Sequence, residues 1–273
     1  MFQTDRRNQV IGWYRQAFRF IMPVECISCS RPLGTDPVPF FCSPCWNLIE
    51  PITGPRCFRC DQPFVSSAAI SWTPDHQCQH CLEQPPAFER AWTLFPYLPP
   101  LQDAICAFKY RGKSRLAHPL ATLMIRAIPA VIDADLIVPV PVHAGRLRER
   151  EFNQSLLLAD LLGRYLNLPV VATALVRVLA TAPQTTLTRP ERLHNLRRAF
   201  AVQNAGNLAG RRVLLIDDVF TTGTTVNQCA KTLLKAGAST VHVLTLARTI
   251  DTSLVPDRIL VEYAQRSSMG FGI

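Results

Sequence analysis

Eight of the ten cysteines of this chain form four C-x-x-C pairs between positions 26 and 81. The pairs are Cys26/Cys29, Cys42/Cys45, Cys57/Cys60 and Cys78/Cys81. A C-x-x-C turn presents two thiolates from one tight loop, and zinc binds four such sulfurs at the corners of a tetrahedron. The spacing of the pairs is typical of zinc ribbons, so we expect structural zinc, as one ion or two. The alternative is a set of redox-active or unliganded thiols.

Consecutive pairing closes the shortest loops and would give two sites, one within residues 26–45 and one within residues 57–81. A crossed arrangement of the four pairs stays open at this stage. The N-terminal segment has no apolar region followed by a cleavage site, so we predict no secretory signal. We therefore expect reduced thiols and a cytoplasmic protein.

A second motif with chemical potential follows the apolar run RVLLI at 212–216. Two acids, Asp217 and Asp218, come next, and a Thr/Gly-rich turn leads into a helical pattern. The free N–H groups and positive dipole end of a helix N-terminus can hold a phosphate. The carboxylates can accept hydrogen bonds from sugar hydroxyls or face a magnesium ion. The turn residues are Thr221, Thr222, Gly223, Thr224 and Thr225.

Two common phosphate-binding motifs are excluded at this turn. No Gly-Lys-Ser/Thr follows it, so it is not a Walker A loop, and it lacks the G-x-G-x-x-G dinucleotide fingerprint. The simpler alternative is a strand–turn–helix whose acids are solvated. Two adjacent acids at the end of a buried strand favour a ligand site over that alternative.

The segment LLIDDVFTTGTT at 214–225 resembles the phosphoribosyl pyrophosphate signature of type I phosphoribosyltransferases. Combined with the cysteine-rich module, it resembles the ComF family of competence proteins from Cys26 to about Arg248. Further matches are PVPVHAGR at 139–146, FNQ at 152–154 and several residues between 184 and 200. One departure is Glu151, where family members usually carry glycine.

The resemblance implies a type I phosphoribosyltransferase fold that binds phosphoribosyl pyrophosphate with Mg²⁺. Asp217 and Asp218 would hold the ribose hydroxyls, and Thr221 to Thr225 the 5′-phosphate. A pyrophosphate loop would contain His143, Ala144, Gly145 and Arg146. A flexible loop closing over the site would contribute Arg189, Arg192, Arg197 and Arg198. The family further implies a role in DNA uptake during natural transformation, with DNA-uptake or DNA-processing proteins as partners.

The charge of the chain is concentrated in its C-terminal part. The net charge is +9, and residues 91–273 carry all of it, with 21 Lys/Arg against 12 Asp/Glu. This surplus fits a diphosphate ligand, DNA or a solvated basic surface. The stretch 109–115 could contact single-stranded DNA through phosphates and stacking, or could line the acceptor side of a transferase site. Its candidate DNA contacts are Lys109, Tyr110, Arg111, Lys113 and Arg115.

The elements that must position these residues alternate between helix and strand from position 91 onward. Predicted helices cover Leu116–Ile128, Ser155–Leu166 and Thr224–Ala236, and predicted strands cover Asp135–Val142, Pro169–Ala172, Arg212–Ile216 and Ser239–Leu246. Gly237 is the expected cap of the last helix, and the polar residues 180–199 predict a long loop. This alternation favours an α/β fold with a parallel sheet covered on both faces.

The expected domain organisation has four parts. They are an amphipathic helix at 1–22, a zinc-ribbon-like domain at 23–84, a phosphoribosyltransferase-like domain at 91–266 and a flexible tail at 267–273. Apolar residues make up 48% of the chain, which excludes a mostly disordered protein. No run reaches 18 apolar residues, so no transmembrane helix is expected.

Three functions stay open on the sequence alone. The first is a protein that binds phosphoribosyl pyrophosphate, and could transfer the phosphoribosyl group, in DNA uptake. The second is a metabolic phosphoribosyltransferase in nucleotide or amine salvage. The third is a non-enzymatic, zinc-stabilised adaptor for single-stranded DNA or protein. No segment of the sequence identifies an acceptor for group transfer.

Overall fold

The computed structural model describes residues 24–64, 75–178, 199–203 and 205–250. Of these, residues 24–49 belong to one compact unit and residues 50–250 to another. The second group of four cysteines therefore lies in the same unit as the parallel sheet. The predicted N-terminal helix at 1–22 and the predicted tail at 267–273 lie outside the described residues.

In the first unit, the chain folds around its four cysteines with little regular structure. Its helix is α1 (Ser43–Trp46), one turn long. The Asp36 carboxylate accepts hydrogen bonds from the Ser43 N–H at 2.8 Å and from the Ser43 hydroxyl at 3.0 Å. Phe41 is fully buried and meets Trp46 edge to face at 5.5 Å between ring centroids. Small apolar contacts of this kind cannot hold so short a segment by themselves, which is why metal ligation is expected to stabilise it.

The second unit contains the remaining helices and strands. In chain order they are α2 (Gln79–Glu83), β1 (Arg90–Pro96), α3 (Leu101–Tyr110), α4 (Ala117–Ala127), β2 (Leu136–Pro139), α5 (Ala144–Arg150), α6 (Gln154–Leu166), β3 (Leu175–Arg177), β4 (Phe200–Val202), β5 (Arg212–Phe220), α7 (Thr224–Lys235) and β6 (Thr240–Arg248). Single turns of 3₁₀ helix lie at Ser114–Leu116 and Ala205–Asn207.

Four strands form a sheet in the order β1-β6-β5-β2, and every neighbouring pair is parallel. The predicted parallel sheet is thus confirmed. Helix α7 packs on the sheet face that carries Val213 and Leu215, and α6 approaches the other face at Ile137. The predicted strand Pro169–Ala172 is reduced to one parallel bridge between Ile137 and Val170.

Strand β5 is longer than the sequence predicted. The expected loop begins at Asp217, yet the strand continues to Phe220 because β6 runs alongside it as far as Arg248. Asp217 and Asp218 are therefore strand residues with opposite side-chain directions. Strand β1 and helix α3 had no specific prediction, although both lie inside the predicted α/β domain.

The end of α7 agrees with its prediction. The helix stops at Lys235, and Gly237 follows with φ +103°, a backbone conformation that residues with a Cβ rarely adopt. Within the described part of the chain, no helix combines the length and the apolar character needed to cross a bilayer.

Candidate functional site

The eight paired cysteines form two groups of four, each in consecutive order. Within each group all four sulfur atoms lie within 4.8 Å of one another. The Cys29 and Cys42 sulfurs are 3.6 Å apart, and those of Cys60 and Cys78 are 3.7 Å apart. A tetrahedron with Zn–S bonds of about 2.3 Å has edges of about 3.8 Å, so both groups fit zinc. We call them the first and the second cysteine site.

In each cysteine site one thiol is favoured as thiolate, the form that binds metal, whereas burial and sulfur neighbours raise the pKa of others, Cys42 and Cys45 in the first site and Cys60 and Cys81 in the second. A hydrogen bond from Cys45 lowers the pKa of Cys26 to about 4. In the second site, a hydrogen bond from Cys60 lowers the pKa of Cys57 to about 4. The thiolate of Cys57 also accepts the Cys78 N–H at 3.2 Å. In both sites four cysteine sulfurs would occupy all the ligand positions of a tetrahedral metal ion and would leave none for water or substrate. The arrangement is therefore that of a structural metal centre rather than a catalytic one.

The second cysteine site is joined to the sheet by buried polar contacts. The Asp61 carboxylate, 5% exposed, accepts the Thr93 N–H of β1 at 2.6 Å and the Thr93 hydroxyl at 3.0 Å. Arg56 pairs with the same carboxylate at 3.2 Å. Cys57, Cys60 and Cys81 lie in one apolar core with residues of β2, β5, β6 and α7. The cysteine turn therefore forms part of the core that supports the sheet.

Asp217 and Asp218 lie near the carboxyl end of β5 and have different partners. The Asp217 carboxylate accepts the Ser155 hydroxyl of α6 at 3.1 Å. The buried Asp218 carboxylate pairs with the Lys109 ammonium of α3 at 2.8 Å. The two acids thus link the start of α6 and the end of α3 to the central strand.

The two carboxylates and the lysine form one electrostatic group. Burial, followed by the charge of Asp218, raises the pKa of Asp217 to about 7. Burial alone would lower the pKa of Lys109, but the charge and hydrogen bond of Asp218 and the charge of Asp217 raise it overall. A partly protonated carboxyl beside a charged one can both donate and accept, which suits a pair of sugar hydroxyls.

The Thr/Gly-rich turn joins β5 to the N-terminus of α7. Gly223 has φ +74° and is the residue that precedes the helix, and the Thr222 hydroxyl oxygen accepts the Thr224 N–H at 3.4 Å. The Thr222 and Thr224 hydroxyl oxygens are 2.8 Å apart, and Thr221 and Thr222 are exposed. The turn thus presents hydroxyl and amide donors toward solvent at the positive end of a helix, a suitable arrangement for a phosphate.

The ring of Phe220 lies directly against Gly223. A Cβ at position 223 would lie 2.5 Å from Phe220 Cζ and 3.0 Å from Cε1. Glycine is therefore required twice, once for its backbone angle and once for the absence of a side chain.

The predicted pyrophosphate loop, residues 143–146, coincides with the start of α5. His143 precedes the helix, and its Nδ1 accepts the Gly145 N–H at 3.1 Å. Ala144 and Arg146 are exposed. Burial and then the nearby charge of Arg146 lower the pKa of Arg177. Two arginines consequently raise the positive potential on this side of Asp217.

The FNQ segment anchors α6. The Asn153 side chain accepts the Ser155 N–H at 3.0 Å and donates to the Val140 carbonyl at 3.1 Å, which ties the helix start to the chain after β2. The preceding Glu151 has φ +67°. That backbone conformation is unfavourable for residues with a Cβ, which accounts for the glycine expected at this position from the family resemblance.

The five candidate DNA contacts separate into inward and outward side chains. Lys109 turns inward to Asp218. Tyr110 is 69% exposed, and the Arg150 guanidinium lies 4.8 Å from its ring centroid. Arg111 and Arg115 are exposed, and Lys113 is half-buried.

The predicted flexible-loop arginines lie outside the described residues. They are Arg189, Arg192, Arg197 and Arg198. The strands that precede and follow this segment, β3 and β4, pair with each other in antiparallel register.

The contacts of three residues of this region were missed from the sequence. Each of them makes its contact from an element distant in the chain. Ser155 contacts Asp217, Lys109 contacts Asp218, and Arg248 contacts the Cys60 carbonyl of the second cysteine site. Arg248 carried a usable signal, because an arginine at the end of the apolar strand STVHVLTLAR requires buried acceptors. Ser155 carried none beyond its place next to FNQ.

Comparison with known proteins places two domains on this chain. The family model of the phosphoribosyl transferase domain matches residues 153–271, and that of the double zinc ribbon domain matches residues 17–84. The first match includes β5, β6 and the Thr/Gly-rich turn but begins after β1 and β2, and the second includes both cysteine sites. They support the type I phosphoribosyltransferase fold with a zinc ribbon at its N-terminal side.

Three curated relatives are similar to the chain over most of their length. DNA utilization protein YhgH of Shigella flexneri is 34% identical over 84% of this chain and 99% of its own. Competence protein F of Haemophilus influenzae is 32% identical over 76% of this chain and 90% of its own. Competence protein ComFC of Bacillus subtilis is 26% identical over 76% of this chain and 83% of its own. With two relatives above 30% identity at such coverage and both domains in place, the chain belongs to the ComF family.

Proposed function

We propose that this protein binds phosphoribosyl pyrophosphate together with Mg²⁺ at the carboxyl end of β5. The single observation that carries the proposal is the juxtaposition of Asp217 and Asp218 with the Thr/Gly-rich turn at the start of α7. The acids would accept the two ribose hydroxyls, and the turn would hold the 5′-phosphate. Residues 143–146, with Arg146 at the surface, would receive the diphosphate and its metal ion.

The charges of the region support this assignment. A doubly phosphorylated sugar brings several negative charges, so it needs cations close to the acids that bind its hydroxyls. Arg146 and Arg177 supply positive charge on one side of Asp217, and Lys109 supplies it beside Asp218. The lysine offsets the repulsion between two carboxylates and an anionic ligand.

Titration calorimetry with phosphoribosyl pyrophosphate and Mg²⁺ tests the proposal. The double variant Asp217→Asn/Asp218→Asn should lose at least tenfold in affinity, because amides accept more weakly and no longer attract the metal. Thr222→Val, an exposed change that leaves the core intact, should weaken binding of ribose 5-phosphate as well.

The matched control is Asp133→Asn/Asp135→Asn, which also removes two carboxylate charges but near the start of β5, where both side chains pair with Arg212. Asp135 pairs with Arg212 at 2.7 Å. Arg212 begins β5 and lies about five residues, or roughly 16 Å, before Asp217 along the strand. The control should leave the affinity within twofold of the original protein. Equal affinities of the original protein and the Asp217→Asn/Asp218→Asn variant would contradict the donor-site assignment.

We also propose that the protein acts in DNA uptake through contact with single-stranded DNA. The names of its relatives, DNA utilization protein and competence protein, support this role. The observation that favours a direct contact is the exposed Tyr110 ring beside Arg150, with Arg111 and Arg115 exposed nearby. An exposed aromatic ring among cations can stack on a base while the arginines contact phosphates.

Fluorescence titration of a labelled oligonucleotide at several salt concentrations tests this contact. Arg111→Glu/Arg115→Glu should weaken binding and reduce the slope of log affinity against log salt by about 0.7 for each phosphate that the variant no longer neutralises. Arg126→Glu/Arg164→Glu, which reverses two exposed arginines on α4 and α6, is the matched control. An identical slope for the two double variants would rule out this surface.

A further inference from the structure

Arg248 ends β6, the strand between β1 and β5, and its side chain is 4% exposed. One terminal nitrogen of its guanidinium donates to the Cys60 carbonyl at 2.6 Å, and the other donates to Gln62 Oε1 at 2.6 Å. Both acceptors belong to the segment that contains the Cys57–Cys60 turn. Among the described residues no carboxylate forms a direct ion pair with this guanidinium, although the charge of Arg248 reaches the buried Asp61. The position of the cation therefore depends on the positions of its two neutral acceptors. The position of Arg248 is consequently set by the second cysteine site.

The same guanidinium also contacts β5. Its central carbon lies 4.7 Å from the centroid of the Phe220 ring, and Phe220 and Arg248 are paired in the register of the sheet. The Thr249 N–H donates to the Phe220 carbonyl at 3.0 Å. The Phe220 ring further meets Phe88 edge to face at 6.3 Å between centroids. Arg248 and Phe88 thus restrict the ring from different sides.

The Phe220 ring also packs against the Thr/Gly-rich turn at residues 221–225, which we call the phosphate turn. Its Cζ lies 2.5 Å from the point where a Cβ of residue 223 would be. A displacement of the ring therefore changes the room available to Gly223 and to the turn residues beside it. Close-packed interiors transmit such shifts rather than absorb them.

We infer that Arg248 is a positioning residue that couples the second cysteine site to the phosphate turn. A zinc ion bound to the Cys60 sulfur would fix the backbone of Cys60 and with it the carbonyl that accepts from Arg248. Arg248 lies against Phe220, and Phe220 supports the backbone at Gly223. Loss of the metal would release the carbonyl and loosen the turn. The inference rests on the function proposed above for this turn.

Coupling of this kind is reciprocal. If zinc in the second site improves ligand affinity by some factor, the ligand improves zinc affinity there by the same factor. Measured couplings typically lie between about 5-fold and 150-fold. The first cysteine site belongs to the other compact unit and contains none of the residues named above, so it provides an internal reference.

Arg248→Met tests the coupling in the full-length, zinc-loaded protein, because it removes both hydrogen bonds and keeps a long side chain. We expect affinity for phosphoribosyl pyrophosphate to fall by about tenfold, within the usual range of couplings. Arg248→Lys, which keeps the charge but cannot bridge both acceptors in the same way, should give an intermediate loss. Arg59→Met is the matched control, since Arg59 lies in the same cysteine turn but donates to the Pro86 carbonyl at 3.1 Å. Its affinity should stay within twofold of the original protein.

The rate of zinc release to a coloured chelator supplies a readout that a purely structural role would not move. Saturating phosphoribosyl pyrophosphate should slow release from one zinc site severalfold in the original protein. Release from the other site should stay unchanged. In a protein with Cys26→Ser/Cys29→Ser, which removes the first site, the ligand-sensitive release should remain. In Arg248→Met it should disappear.

The outcomes separate the inference from the proposed function. If the original protein binds the ligand and Arg248→Met binds it equally well, the inference is overturned. If the original protein does not bind it, the proposed function fails, and the nuclear magnetic resonance signal of the Gly223 amide still tests the coupling. Removal of zinc should shift that signal in the original protein but not in Arg248→Met. Equal shifts in both proteins, or none in either, would overturn the inference.

Discussion

Substitution of Gly223 by alanine tests the central geometric argument about the phosphate turn. The residue has φ +74°, and an alanine there adopts a left-handed conformation that costs about 1–2 kcal/mol. The new methyl group would also lie 2.5 Å from Phe220 Cζ, so the ring or the turn must move. Forced repacking of this kind costs about 1–3 kcal/mol. The free energy of unfolding should thus fall by about 2–5 kcal/mol.

Gly112 provides the matched control for the backbone part of this cost. Its φ is +60°, and a Cβ there would have no neighbour within 4 Å. Gly112→Ala should therefore cost only about 1–2 kcal/mol. The difference between the two variants isolates the contact with the ring.

Urea denaturation followed by circular dichroism, at a fixed excess of zinc, measures both free energies. Phe220→Leu in the Gly223→Ala background should recover about 1 kcal/mol or more relative to the sum of the single changes, because the smaller side chain makes room. Equal losses for Gly223→Ala and Gly112→Ala, with no interaction between positions 220 and 223, would refute the reasoning. Gly223→Ala should also weaken ligand binding, since the turn amides rotate.

Further predictions concern the charged residues and the metal. The pKa of Asp217 is raised to about 7, so this carboxyl binds a proton more readily in the folded than in the unfolded chain. Its contribution to the free energy of unfolding therefore falls as the pH rises from about 4 to about 7. Asp217→Asn should therefore gain stability relative to the original protein between pH 5 and pH 8, as measured by urea midpoints; a constant difference would contradict this pKa. Lys109→Met should cost about 3–5 kcal/mol at pH 8, because it leaves Asp218 buried without its partner, and clearly less at pH 5, where the neighbouring Asp217 is protonated and no longer repels Asp218; urea midpoints at the two pH values measure the difference. Glu151→Gly should stabilise the protein by about 0.5–1 kcal/mol by relieving the left-handed backbone, and a loss of stability would refute that account. Elemental analysis should find two zinc ions per chain, and their removal should reduce the thermal midpoint; a stoichiometry of one would show that one cysteine site is not a metal site.

Much of the candidate site could be predicted from the sequence because its parts are local. The C-x-x-C pairs are short turns, and consecutive pairing follows from the shortest loops, which is the arrangement that the structure has. The acid pair, Gly223 and the start of α7 are contiguous in the chain, so their juxtaposition needs no tertiary information. The parallel sheet was likewise predictable, because strands that alternate with helices must connect in parallel.

The extent of the strands was less predictable. Asp217 and Asp218 look like loop residues in isolation, because acids are rare in strands. They are strand residues here because β6 offers hydrogen-bonding partners as far as Arg248. The stretch 109–115 similarly looks like one basic surface, whereas its first residue is buried against Asp218.

The candidate ligand groups of this protein lie in local sequence motifs: two groups of four sulfurs, two adjacent carboxylates and a Thr/Gly-rich turn. The distant side chains that complete these sites are brought to them by the fold. Ser155 meets Asp217 across 62 positions, and Arg248 meets the Cys60 carbonyl across 188. Strand order brings such residues together, and it is fixed by burial of the whole sheet rather than by any local pattern. The second cysteine site is an example. The sequence predicts that it belongs to a small separate domain, whereas three of its cysteines lie in one apolar core with Phe220 and residues of the parallel sheet.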